Sequence, residues 1–166
     1  MQQLSVSRLF NGESWLENVS VTVENGRVTN IAPASGECLA ATLVPGFIDV
    51  QVNGGGGALF NTAPSRDTLQ RMMRAHARFG TAAMLPTVIT DSVAVMQQAA
   101  DVIAQAIADN EPGIIGVHFE GPHLSVPKKG VHPEQHIRAL SSGELAIYRR
   151  TDLGIKMVTV DRKSVV

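Results

Sequence analysis

From residue 43 onward, short apolar runs alternate with stretches of helical period, and each run ends in a cluster of glycine, proline or polar residues. Phe47, Ile48, Val50 and Val52 form one run, Thr81 to Thr90 (TAAMLPTVIT) a second, Ile114 to Glu120 a third and Ile155 to Val160 a fourth. Between them, Pro64 to Phe79, Ser92 to Asn110 and Ser141 to Asp152 read as helices. The first carries Leu69, Met72, Met73, His76 and Phe79 on one face. The second carries Val93, Met96, Ala100, Ile103 and Ile107. Repeated strand–helix units whose strands are apolar along their whole length predict a parallel sheet buried on both faces. Two architectures satisfy that order, a doubly wound open sheet or a (β/α)8 barrel. A barrel needs about 250 residues, and a chain of 166 leaves room for about its first four strands.

Residues 1–44 read differently. The alternation in Val19-Ser-Val-Thr-Val23 and the turn pairs Asn11-Gly12 and Asn25-Gly26 predict a small unit of hairpin strands. The expected division is thus a strand-rich β unit over 1–44 followed by an α/β part over 45–160. Fourteen basic residues balance fifteen acidic ones, which argues against a general nucleic-acid or anionic-membrane binder. A single cysteine, Cys38, excludes an internal disulfide framework and fits a reducing, cytoplasmic setting. No apolar run reaches the length of a bilayer span, and the first residues lack the pattern of a secretory signal.

In parallel α/β folds the reacting groups gather at the carboxyl ends of the strands. Glu120 ends the third strand and is followed at once by Gly121-Pro122. A fixed, partly desolvated carboxylate there suits a metal ligand or a general base, or else an acid paired with Lys128 or Lys129. Four of the five histidines, His118, His123, His132 and His136, fall within residues 118–136, without the spacing of a helical zinc site. His118 reads equally as a hydrogen-bonded core residue, and His76 as structural. The loop Lys128-Lys-Gly-Val-His132 can hold a phosphate or sugar hydroxyls, or be a solvated basic loop. Gln51 and Asn53 lie two apart at the end of the first strand and share a face. The glycines that follow, Gly54 to Gly57, allow close backbone approach to a ligand or simple flexibility.

Three segments, PGFIDVQVNGGGG (45–57), LPTVIT (85–90) and HFEGPHLSVPKKGVH (118–132), closely resemble the N-acetylglucosamine-6-phosphate deacetylases of the amidohydrolase superfamily. The resemblance implies a metal-dependent (β/α)8 barrel, here its first half, that hydrolyses the acetamide of N-acetylglucosamine 6-phosphate to acetate and glucosamine 6-phosphate. By that likeness Glu120 matches a metal ligand, Val131 a backbone contact to substrate and His132 a substrate-contacting histidine. Gln51 and Asn53 take the place of the His-x-His pair of many amidohydrolases, near the metal, as in the subgroup that keeps one divalent ion, commonly zinc. The resemblance places two further ligand histidines and the catalytic aspartate on later strands, so no catalytic acid or base is expected within this stretch. It also implies that the β unit over 1–44 is an incomplete β-sandwich, and it implies a homodimer, an amino-sugar phosphate as small-molecule partner, and an N-terminal fragment without activity that folds poorly by itself. The N-acetylgalactosamine 6-phosphate specificity is the alternative, which these residues do not separate from the first, and a non-catalytic fragment that binds sugar phosphate or pairs with an intact subunit is another. Asp161-Arg-Lys-Ser-Val-Val166 is what the triplets GAT CGG AAG AGC GTC GTG encode. That string resembles a sequencing-library adapter, so residues 161–166 are expected to be a non-native tail.

Overall fold

A computed structural model describes residues 1–161. Of the tail expected at 161–166, all but Asp161 lies outside the described residues. The chain divides into two compact units, Met1–Gly46 and Phe47–Val166.

The first unit is a four-stranded sheet of β1 (Gln2–Phe10), β2 (Trp15–Glu24), β3 (Arg27–Pro33) and β4 (Ala40–Leu43), in the order β3-β2-β1-β4. β1–β2 and β2–β3 are antiparallel hairpins, and β4 returns parallel to β1. Both turn pairs act as their residue types require. Asn25 and Gly26 both have positive φ, the geometry of a type I′ turn. The Asn11 side chain accepts from the backbone N–H groups of Glu13 and Ser14. Val6, Leu9, Val19 and Val21 form a small buried cluster. An apolar groove of about 540 Å³ opens beside it, lined by residues such as Leu4, Phe10, Val23 and Ile31.

The second unit holds a parallel sheet of β5 (Phe47–Val52), β8 (Thr81–Ile89), β9 (Gly116–Glu120) and β10 (Ile155–Thr159), in the order β10-β9-β8-β5. A short antiparallel hairpin, β6 (Gly54–Gly55) with β7 (Ala58–Leu59), follows β5 directly. Three helices intervene: α1 (Arg66–Ala77), α2 (Val93–Ala108) and α3 (Ser142–Tyr148). Ser65 caps α1 by accepting from the Thr68 N–H, and Ser92 caps α2 by accepting from Val95. Leu69 and Met72 of α1, Met96, Ala100 and Ile103 of α2, and Met84, Val88, Val117 and Phe119 of the inner strands make one continuous core.

Two sequence expectations need correction. Only Val52 of the first run is buried, whereas Phe47 (63% exposed), Ile48 and Val50 stand open, because β5 is an edge strand of this sheet with β8 on one side alone. Phe79, assigned to the apolar stripe of α1, lies beyond the helix end and is exposed. Arg71 of α1 donates to the Gly56 carbonyl. Pro86 sits inside β8, where it cannot donate to the ladder. The register with β5 shifts there, and the Val52 N–H bonds instead to the Thr87 hydroxyl at 2.9 Å.

Candidate functional site

The carboxyl ends of β5, β8 and β9 meet the loop that carries a short 3-10 turn at Val126–Lys128. Between them lies a hollow of about 380 Å³ lined by Gln51, Asn53, Leu59, Asn61, Ile89, Glu120, Val131 and His132. All five site residues expected from sequence therefore border one space.

Glu120 reaches it as the last residue of β9, in register with Ile89 on one side and Thr159 on the other. The turn that frees it depends on Gly121, with φ +79°: a Cβ there would lie 2.2 Å from the Thr90 hydroxyl. His132 is nearly buried. Its Nδ1 lies 2.8 Å from the Thr90 hydroxyl and 3.4 Å from the Thr90 backbone N. Its Nε2 faces Glu120 Oε1 at 3.7 Å. Val131 is 89% exposed and presents itself at the rim. Buried Asn53 Nδ2 has no hydrogen-bond partner among the described residues, so an acceptor at that wall would complete its bonding.

Three lining residues were not singled out from sequence. Asn61 clamps the end of β8: its carbonyl accepts from the Ile89 N–H, and its amide donates to the Ile89 carbonyl and to Asp91. Leu59 and Ile89 give the hollow an apolar side. Leu59 is placed by the β6–β7 hairpin, and no sequence signal marks it, since a leucine after a glycine run reads as loop. The glycine run packs against α1. His76 bonds the Gly54 carbonyl at 2.9 Å and Arg71 the Gly56 carbonyl, seating the hairpin on α1. A Cβ on Gly54 would meet the Ala58 carbonyl oxygen at 2.3 Å. Gly54→Ala is expected to cost about 2 kcal/mol and to displace Leu59. Thermal unfolding checks the first effect, and an unchanged midpoint would contradict this seating.

The histidine cluster separates into four tasks. His118 is buried, with Nδ1 3.0 Å from the Val50 carbonyl and Nε2 2.8 Å from the Thr159 hydroxyl, so it ties β5 and β10 to β9. His123 bonds the Arg138 carbonyl and the Tyr148 hydroxyl. His136 lies 3.9 Å from Asp91. Only His132 borders the hollow. Lys129 pairs with Glu134 on the surface rather than with Glu120. Among the described residues no three His, Cys, Asp or Glu side chains gather to hold a metal. A catalytic zinc site takes three protein ligands, so the donors of this stretch do not by themselves fit one.

No family model matches the chain. It is 58% identical over 126 residues to the N-acetylgalactosamine-6-phosphate deacetylase of Shewanella sp. (strain ANA-3), covering 76% of this chain and 32% of that protein. It is a homologue of the amino-sugar 6-phosphate deacetylases. The N-acetylglucosamine-6-phosphate deacetylase of Haemophilus influenzae is 37% identical over 99 residues, covering 60% of this chain and 26% of its own. Among solved structures, N-acetylglucosamine-6-phosphate deacetylase from Pasteurella multocida superposes with a TM-score of 0.83 at 30% identity, over 96% of this chain and 45% of that one. The chain therefore spans about a third of the length of the curated deacetylases it matches. These relatives are named as deacetylases, which are hydrolytic enzymes.

Proposed function

We propose that this stretch supplies the first four strands of a (β/α)8 barrel in an enzyme that hydrolyses the acetamide of an N-acetylated amino-sugar 6-phosphate, releasing acetate. The observation that carries the reading is the meeting of Glu120, His132, Val131, Gln51 and Asn53 around one hollow in a chain 58% identical to a deacetylase of that class. The strand order supports the barrel, because each strand lies beside its predecessor and the winding does not reverse. A homodimer follows from the resemblance, and a cytoplasmic location is the reading that the single Cys38 favours.

Glu120 is proposed as the one ligand that this stretch gives to a divalent ion, zinc by the resemblance. When bound, such an ion polarises the amide carbonyl and makes water acidic. The other roles belong to residues on the page. His132 and the Val131 backbone orient the sugar. Gln51 and Asn53 present carboxamides on one side of the reacting centre. Leu59 and Ile89 offer the sugar apolar contacts. No group placed here serves as the acid that protonates the leaving amine, so the 166-residue chain alone is expected to release no acetate.

The higher identity to the Shewanella protein favours N-acetylgalactosamine 6-phosphate over the gluco epimer. A chimera carrying this stretch in place of the matching part of the Shewanella protein tests both points. Acetate release is expected from both epimers, with kcat/KM about tenfold higher for the galacto sugar, a difference of about 1.4 kcal/mol. A folded chimera that releases acetate from neither sugar would overturn the reading.

A further inference from the structure

Thr90 is buried at the carboxyl end of β8 and lines no part of the hollow, yet three elements of the site converge on it. Its hydroxyl lies 2.8 Å from His132 Nδ1 and 3.5 Å from the Glu120 carbonyl oxygen, so its single proton has the shorter contact at the ring nitrogen. The same hydroxyl fills the space that a Cβ on residue 121 would need, so Gly121 is packed directly against it. The Thr90 backbone N–H also points at His132 Nδ1, at 3.4 Å.

A backbone N–H can only donate. The nitrogen it faces must therefore accept, and a neutral imidazole that accepts at Nδ1 carries its proton on Nε2. Nε2 is the nitrogen on the Glu120 side, 3.7 Å from Oε1. We infer that Thr90 is a positioning residue that fixes His132 in its Nε2–H tautomer, so that the ring enters the hollow as a hydrogen-bond donor. A ring held this way donates to a substrate oxygen or to the Glu120 carboxylate, and it cannot take a proton at the nitrogen that faces the hollow. The consequence for turnover rests on the deacetylase reading, whereas the tautomer does not.

The test uses the chimera with 15N-labelled histidine, at mildly alkaline pH. The His132 signals are assigned by their loss in His132→Asn. Long-range proton–nitrogen spectra are expected to show protonated Nε2 and bare Nδ1. Thr90→Ser keeps the hydroxyl and is expected to keep both the tautomer and kcat/KM to within about twofold. Thr90→Val leaves only the longer backbone bond. It is expected to give a mixture of tautomers and about a tenfold lower kcat/KM, in the range found when a partner orienting a site histidine is lost. Protonated Nδ1 in the parent protein, or Thr90→Val with the parent's spectrum, would overturn the inference. If the tautomer is as inferred but no variant turns over either sugar, the deacetylase reading fails and the positioning role of Thr90 stands.

Discussion

Glu120→Gln in the full-length protein carrying this stretch is expected to lower kcat by about three orders of magnitude or more while leaving the fold intact. The residue ends an inner strand, and its carboxylate faces the hollow at 3.7 Å from His132 rather than supporting the core. The amide is almost the same size, so little packing changes. It lacks the negative charge of the carboxylate proposed above to hold the ion, and a neutral carboxamide is a much weaker zinc ligand. Sugar-phosphate affinity is expected to change little, because the side chains assigned to orienting the sugar are untouched. Steady-state kinetics together with thermal unfolding separate these effects. Near-normal turnover in a folded variant would remove Glu120 from the chemistry.

The largest effect on stability is expected at Glu144. This carboxylate is fully buried at the start of α3 and serves two purposes at once. It pairs with the Arg138 guanidinium and closes a capping box with Ser141, whose hydroxyl and backbone N–H both donate to it. Burial by itself would push the carboxyl upward. The hydrogen bonds from Ser141 and Arg138 outweigh that and hold its pKa down at about 2, against an ordinary 4.5. Removing the carboxylate leaves Arg138 without its partner and the helix without its cap, so Glu144→Ala is expected to cost about 3 kcal/mol.

The pH dependence has a definite sign. The unfolded carboxyl binds a proton first as pH falls, so the contribution is complete above about 4.5 and disappears as pH drops toward 2. Urea midpoints of parent and variant should therefore differ most near neutral pH and converge in acid. A gap that stays constant with pH would contradict the account.

Much of this arrangement was legible in the residues. The alternation of apolar runs and helical stripes implies parallel β8, β9 and β10 beside β5, since only a crossover helix joins parallel neighbours. Asn25-Gly26 marks its own turn, because both residues must reach positive φ. Glu120 was visible because a charge that ends a buried strand needs a reason. Other features were hidden for physical causes. Exposure of Phe47, Ile48 and Val50 depends on what covers a strand, which its own residues do not state. The four clustered histidines looked alike, and only the chain's path in space gives His118 to the sheet and His132 to the hollow. The glycine run suggested a ligand loop because small residues permit any close approach. The approach it makes is to α1. Thr90 carries no sequence signal beyond its place in LPTVIT, since a threonine at a strand end is ordinary until its hydroxyl is found beside an imidazole.

The amino-sugar phosphate is expected to bind in the hollow between the ends of β5, β8 and β9. A crystal structure of the full-length protein, or of the Shewanella chimera, with the product amino-sugar 6-phosphate bound tests it most directly. The account predicts the sugar ring against Val131 and His132, with His132 Nε2 within hydrogen-bonding distance of a sugar oxygen and Glu120 beside the amino group. A sugar phosphate bound in ordered form elsewhere, with this hollow filled by solvent, would contradict it.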